Sequence, residues 1–244
     1  MYDASKKYLL VVLLIVLPCC GVAGDVKYPG GVGLLRFLAG LPSSYSAKPI
    51  EGWVIDAESK KPLQDVIVVA LWELEENQFH GPRFVTNMKV METVTDSQGI
   101  YNFPGWGPIK RPGKASLRND DPMLIYFKEG YRPKTATNWD GVSMSDNRYE
   151  AVHDSKWNGK EIELQKYEGD IKEYAKLVDN VYSNLFNLKE DGCKWKEAPR
   201  IFFVIDKYNR LLHPQNRYNQ GIFPTLFRSG NCGDMEQYIR SNTP

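Results

Sequence analysis

The spacing of apolar residues in this 244-residue chain changes once, near Lys166, and that change constrains the fold more than any other feature. Between Lys48 and Lys166, apolar residues alternate with polar ones or stand in short runs, as in β-strands. After Lys166 they recur every three or four residues, as on one face of an amphipathic helix. The chain therefore predicts a β-region at 48–166 and a small helical C-terminal region at 167–244.

Seven segments of the β-region have the composition and alternation of strands: 50–56, 65–75, 88–95, 100–103, 123–128, 131–137 and 161–166. Long loops are predicted between them at 77–87, 104–122 and 138–159. Short strands separated by turns that contain Gly and Pro indicate a mainly β fold, a seven-stranded sandwich.

The strand predicted at 65–75 is apolar on both of its faces. Val66, Val68, Ala70, Trp72 and Leu74 share one face, while Ile67, Val69 and Leu71 share the other. The second face becomes acidic at Glu73 and Glu75, which predicts a strand that is buried at one end and solvated at the other.

Three helices are predicted in the C-terminal region. The first is indicated by a single apolar stripe, formed by Ile171, Tyr174, Val178, Val181, Leu185 and Leu188. Pro199 suits the first turn of a second helix, although the run 201–205 would also suit a strand. A short third helix is predicted near 234–240.

The N-terminus has the features of an export signal. Lys6 and Lys7 precede an apolar run that Pro18 ends, and small residues follow. We therefore expect a signal peptide at 1–24, a linker at 25–47 and an exported, periplasmic protein that is not an integral membrane protein after cleavage. An uncleaved anchor, or a lipid anchor on Cys19 or Cys20, are the alternatives.

Two cysteines, Cys193 and Cys232, would remain after cleavage. In an exported protein such a pair predicts one disulfide, worth about 4 kcal/mol for a loop of this length. Two free thiols or a metal pair are the alternatives, and zinc is disfavoured because neither cysteine has a His or a second Cys nearby.

Charge and motifs exclude several classes of function. The net charge is +1 and no basic stripe is present, so no nucleic-acid partner is expected. His80, His153 and His213 stand apart, and the acidic segments 119–121 and 140–146 lack a calcium-loop pattern and are interpreted as solvated turns. No serine lies in a nucleophile elbow, so we expect no metal, no cofactor and no enzymatic activity.

Aromatic residues are the remaining candidates for a binding site. Trp106, Trp139 and Trp157 lie in predicted loops, where they could form platforms for sugar rings or could plug the ends of the sandwich. Trp53 and Trp72 lie in predicted strands and are expected to be core or half-core residues.

Three motifs carry a resemblance to a known family. The first combines Gly52, Asp56, Pro62 and the β-branched run 66–69. The second is the segment 95–103, in which Asp96 caps a turn, Gly99 allows the reversal of the chain, and Tyr101 and Phe103 point inward. The third is Lys128-Glu129-Gly130-Tyr131.

These motifs resemble the carboxypeptidase regulatory-like domain, and the resemblance implies a transthyretin-like β-sandwich at 48–166. In carboxypeptidases this domain accompanies a separate zinc peptidase domain that no segment of this chain resembles, so the resemblance implies no peptidase activity. The tail is similar to helical extensions of uncharacterised exported bacterial proteins.

The sequence thus favours a non-catalytic, exported binding or interaction module of the bacterial cell envelope, whose partner is another envelope protein or a carbohydrate. One alternative is a carbohydrate-binding sandwich that uses the loop aromatics. The least supported alternative is an enzyme whose site lies between the sandwich and the helical tail.

Overall fold

The computed structural model describes residues 42–138, 150–190, 193–212 and 232–243. They form a mainly β structure with helices at the C-terminal end. The strands are β1 (Ser44–Ala47), β2 (Ile50–Asp56), β3 (Ile67–Gln78), β4 (Gly81–Val94), β5 (Ile100–Phe103), β6 (Trp106–Lys110), β7 (Ser116–Leu117), β8 (Met123–Phe127), β9 (Lys134–Ala136), β10 (Glu150–His153) and β11 (Lys160–Leu164). The helices are α1 (Ile171–Glu190), α2 (Pro199–Leu212) and α3 (Met235–Asn242), with a 3₁₀ turn at Lys194–Glu197.

A large sheet, ordered β4-β3-β8-β9 with β7 paired to the end of β3, forms the central layer. Two smaller sheets, β10-β1-β6 and β11-β2-β5, contribute to the core on one of its sides. β1 leads into β2 across Lys48 and Pro49, and β5 leads into β6 across Pro104 and Gly105. Consecutive strands therefore lie in different small sheets: β1 and β6 belong to one, and β2 and β5 belong to the other.

The predicted division of β3 into two apolar faces is confirmed. Val68, Ala70, Trp72 and Leu74 of β3, together with Val66 just before it, are buried between the large and small sheets. Val69 and Leu71 face the helices and are fully buried among α1, α2 and α3. Burying a large apolar side chain stabilises a fold by about 1.5–3 kcal/mol. The helices therefore stabilise the fold by removing this face of β3 from water.

Several segments predicted as loop or linker are strands. β1 lies in the predicted linker, β6 and β7 lie in the loop predicted at 104–122, and β10 lies in the loop predicted at 138–159. The loop predicted at 77–87 is the tip of the hairpin formed by β3 and β4. The strands β1, β6, β7 and β10 are short, and they pair with segments far away in the chain. Ser44 of β1, for example, pairs with Glu150 and Lys110, so the local alternation of residues does not reveal these strands.

The three predicted helices are confirmed, and 201–205 is helical rather than extended. The carboxylate of Asp170 accepts a hydrogen bond from the Lys172 amide at the start of α1. Pro199 begins α2, where its missing N–H costs nothing. Asp234 caps α3 by accepting from the Gln237 amide.

The disulfide predicted between Cys193 and Cys232 is present, with Cα atoms 5.5 Å apart. It joins the residue before the 3₁₀ turn to the segment that precedes α3. Within the described ranges, none of the helices is both long and apolar enough to cross a membrane. The predicted signal peptide at 1–24, with Cys19 and Cys20, lies outside the described residues.

Candidate functional site

The predicted turn at Asp96 and Gly99 has the expected geometry. The Asp96 carboxylate accepts from the amides of Gln98 and Ile100 at 2.8 and 2.9 Å. Gly99 has a φ of +75°, and a Cβ at this position would lie 2.5 Å from the carbonyl oxygen of Val54. This turn is a structural element, because its polar groups are used by its own backbone.

Gly52 makes room for a buried tyrosine. A Cβ at Gly52 would lie 2.6 Å from the hydroxyl oxygen of Tyr101. The hydroxyls of Tyr101 and Tyr126 are 2.9 Å apart and join the two layers of the sandwich. Burial raises the pKa of Tyr101, so both hydroxyls stay protonated at neutral pH.

The three tryptophans predicted as loop platforms do not form a common surface in the described residues. Trp106 is in β6 rather than in a loop and is buried, with its ring edge-to-face against Trp72. Trp157 is half-buried against the core and donates its indole N–H to the carbonyl oxygen of Thr137 at 2.9 Å. Trp139 lies outside the described residues.

Trp53, predicted to be a core or half-core residue, is instead 37% exposed on the outer surface of a small sheet. It lies in the central strand β2, with Glu161 of β11 on one side and Ile100 of β5 on the other. Its indole N–H donates to Oε2 of Glu161 at 3.1 Å. We call the surface formed by Glu51, Trp53, Ile100, Asn102, Glu161 and Glu163 the Trp53 face.

Carboxylates dominate the charge of the Trp53 face. Glu163 is paired with Lys60 at 2.7 Å. Glu51 and Glu161 are exposed, and within the described part of the chain no ion pair involves either of them. The face therefore offers an aromatic surface beside two uncompensated negative charges.

A second exposed surface is the distal end of the β3–β4 hairpin, from Glu76 to Arg83, which we call the arm. Its strands pair only with each other in the described structure, through pairs such as Asn77 with Pro82. Phe79 at its tip is 98% exposed and packs edge-to-face on His80. Val85, just beyond the arm, is also exposed.

The base of the arm is held by a buried ionic cluster. Arg118 pairs with Glu73 at 2.8 Å and with Asp120 at 3.0 Å. Asp121 accepts from the Glu73 amide at 2.6 Å, and burial raises its pKa well above the ordinary value despite that bond. The prediction that 119–121 is a solvated turn is wrong for Asp120 and Asp121, because both are buried: Arg118 pairs with Asp120, and the Glu73 amide donates to Asp121.

The predicted solvation of Glu73 is also wrong. Its side chain is 5% exposed, and its second oxygen is 3.3 Å from Nδ2 of Asn187 in α1. The sequence correctly located Glu73 at the end of the apolar face. Its partners Arg118 and Asn187 lie 45 and 114 residues away along the chain, so the local pattern does not show them.

Two residues of interest, Trp53 and Phe79, were missed at the sequence level, although a signal for Trp53 exists. Glu51 shares a face with Trp53 by strand alternation, and Val54 takes the opposite, inward face. This pattern indicates an outward-facing tryptophan. For Phe79 the flanking turn residues gave no such signal.

The described part of the chain contains no group of three His, Cys, Asp or Glu residues arranged to hold a metal ion. A shallow depression of about 400 Å³ is lined by Asp234, Gln237, Arg240 and Ser241. These residues belong to α3 and its cap, so the depression lies along one side of a single helix.

No known protein family and no curated protein matches this sequence. Among solved structures, a group B streptococcus pilus 2b backbone protein is 16% identical over 52% of this chain and 42% of its own, with a TM-score of 0.23. A streptococcal ancillary pilin is 12% identical over 53% of this chain and 31% of its own, with a TM-score of 0.24. The chain thus spans less than half the length of either pilin, and likenesses this low carry no conclusion about function.

Proposed function

We propose that this chain is a non-catalytic interaction module of the bacterial cell envelope, exported by its N-terminal signal, and that the arm is its docking element. The disulfide between Cys193 and Cys232 supports an oxidising compartment outside the cytoplasm. The partner is another protein of the envelope.

The observation that carries this proposal is the exposure of Phe79. A phenylalanine that is 98% exposed loses the whole hydrophobic gain that its burial would give, about 1.5–3 kcal/mol. Isolated exposed apolar residues are common, but this one lies at the tip of a two-stranded projection with no core of its own. A partner that encloses the ring would recover that free energy.

The base of the arm supports the same proposal. Leu74 is fully buried and Glu73 is fixed by Arg118, so the strands are anchored where they leave the sheet. β7 pairs with Leu74 and Glu75 and reinforces the same position. An anchored base reduces the conformational entropy that the arm would lose on binding.

In-cell photocrosslinking tests the proposal. A photoreactive phenylalanine analogue replaces Phe79 in the full-length protein, expressed in its source bacterium. We expect a single discrete adduct with another envelope protein, and Phe79→Ser should abolish binding of that protein once it is purified. The same analogue at exposed Ser59, in the turn after β2, is the control.

If the analogue at position 79 forms no adduct, or if positions 79 and 59 give equal adducts, the proposal that the arm is the docking element is wrong. An adduct between two copies of this chain would instead identify the arm as a self-association surface.

A further inference from the structure

The Trp53 face is a second surface, on a different sheet from the arm, and its chemistry differs. The arm offers an apolar tip, whereas the Trp53 face combines an indole ring with carboxylates. Trp53 is held in place by its hydrogen bond to Glu161 and by neighbouring strands on both sides. Its 37% exposure is therefore a fixed property of the sheet and not of a loop.

The charges near the ring select the kind of ligand. Glu161 lies directly across from Trp53, and Glu51 lies two residues before it on the same face of β2. The Lys60–Glu163 ion pair, at 2.7 Å, satisfies the third carboxylate. Lys160 is one residue from Glu161, and strand alternation directs the two side chains to opposite faces. The uncompensated charge beside Trp53 is therefore negative.

A cation placed over an indole ring is attracted by the ring's quadrupole, and nearby carboxylates strengthen the attraction. Arginine suits this site better than lysine, because its planar guanidinium can stack on the ring while donating hydrogen bonds to a carboxylate. Positive charge is thus complementary to this face.

The spacing of the face suggests how the cation is presented. Side chains two residues apart on a strand lie about 6.6 Å apart. This is the distance between Glu51 and Trp53 on β2 and between Glu161 and Glu163 on β11. Alternate side chains of an extended peptide have the same spacing. We propose that the Trp53 face binds an extended basic segment of a partner protein, with an arginine stacked on Trp53 and held by Glu51 and Glu161.

Binding of a basic segment at the Trp53 face rests on the proposed role as an interaction module, but it uses a different surface from the arm, so the two can fail separately. Phe79→Ser should leave binding at the Trp53 face unchanged. Loss of photocrosslinking at the arm would likewise leave the binding of a basic peptide to the Trp53 face unchanged.

The test uses the purified disulfide-bonded protein and a fluorescent heptapeptide that alternates serine and arginine. We expect saturable binding that weakens as salt increases, since exposed charges are screened. Glu161→Gln and Trp53→Leu should each weaken binding about tenfold, and Trp53→Phe should weaken it less. Glu58→Gln, which removes an exposed carboxylate from the neighbouring turn, is the matched control and should bind as the parent does.

A peptide with citrulline in place of arginine should not bind, because it keeps the shape and loses the charge. Equal binding of the citrulline peptide, or parental affinity in both Glu161→Gln and Trp53→Leu, would overturn the proposal. Binding of a neutral oligosaccharide in place of the arginine peptide would overturn it in favour of carbohydrate recognition. Unchanged denaturation midpoints of the variants establish that any loss is not due to misfolding.

Discussion

The hydroxyl of Tyr208, in α2, donates a hydrogen bond to Oε1 of Glu129 in the turn between β8 and β9, at 2.9 Å. Lys207 pairs with the same oxygen at 2.7 Å. The adjacent Gly130 amide donates to the hydroxyl oxygen of Tyr174, in α1. Tyr131, next in the chain, donates to Asp56 in β2. This single turn therefore connects the helices to both layers of the sandwich.

We expect the contribution of Glu129 to stability to disappear in acid. The hydrogen bond from Lys207 holds the pKa of Glu129 below its ordinary value of 4.5, and the bond from Tyr208 acts in the same direction. A lowered carboxyl pKa stabilises the fold above the ordinary value, and this stability is lost as the pH falls through the folded-state pKa. Urea midpoints of the parent and Glu129→Gln should differ at pH 7, and the difference should shrink as the pH falls below 4.5.

Glu168→Gln, which removes an exposed carboxylate between the sandwich and α1, serves as the control and should follow the parent at both pH values. A constant difference between the parent and Glu129→Gln from pH 7 to pH 3 would show that the charge of Glu129 does not hold the helices.

Glu92 should give the opposite pH dependence. Its two carboxylate oxygens accept from the amides of Arg200 and Ile201 at the start of α2, at 3.0 and 2.9 Å. Burial nevertheless raises its pKa from 4.5 to about 7, against the effect of these bonds. A carboxyl group with a raised pKa does not lower the free energy of unfolding below pH 4.5, where it is protonated in both states. Its cost grows between pH 4.5 and about pH 7 and is constant above that.

We therefore expect the free energy of unfolding of the parent to fall relative to Glu92→Gln by roughly 3 kcal/mol between pH 4.5 and pH 8. Denaturation of both proteins across this range measures the difference, in which the titration of other groups cancels. Parallel pH profiles would mean that Glu92 titrates normally and that the helix amides compensate its burial.

The sequence predicted those parts of the fold whose information is local. Both faces of β3 and the stripe of α1 were visible because each element repeats its own period over several turns or residue pairs. β6 was missed because Gly107 and Pro108 interrupt its alternation, and only pairing with β1 makes it a strand. The transthyretin-like type of the sandwich and the domain boundaries remain predictions.

The candidate surfaces were predicted less well than the fold. Trp106 was chosen because Gly and Pro surround it, yet it is buried against Trp72. Trp53 was assigned to the core or half-core because it lies in a strand, and the polar Glu51 on its own face was not weighed. The exposure of an aromatic residue depends on which layer covers it, and that is decided by contacts between distant segments.

Gly99 and Gly130 allow backbone strain to be separated from steric overlap. Both have positive φ, +75° and +81°, but a Cβ at Gly130 would meet nothing within 4 Å, whereas one at Gly99 would meet the Val54 carbonyl at 2.5 Å. Gly130→Ala should cost about 1 kcal/mol through its φ alone, and Gly99→Ala should cost more. Gly99→Val should cost at least as much as Gly99→Ala.

Chemical denaturation of the three variants measures these costs. An unchanged midpoint for Gly99→Val would remove the physical basis of the Asp96–Gly99 motif. Equal losses for Gly99→Ala and Gly130→Ala would show that the turn relaxes away from Val54 at no cost.

The disulfide should decide the stability of the last helix. Cys232 is buried in the helical core, and two residues of the adjacent α3, Met235 and Ile239, fill the same core. The eight residues of α3 are too few to form a stable helix alone, so α3 depends on being held against Trp195 and α2. Breaking the bond between Cys193 and Cys232 releases the segment that precedes α3, at a cost of a few kcal/mol at most.

We expect hydrogen exchange to show this loss selectively. With reductant, or in a variant that carries Cys193→Ser and Cys232→Ser, amides of α3 should exchange faster while those of β3 and β8 keep their protection. The strands have both faces covered and stay buried without α3, because α1 and α2 still contact the large sheet. If α3 exchanges at the same rate with and without the bond, packing of Met235 and Ile239 alone holds the helix. If β3 loses protection together with α3, the helices and the sandwich unfold as one cooperative unit.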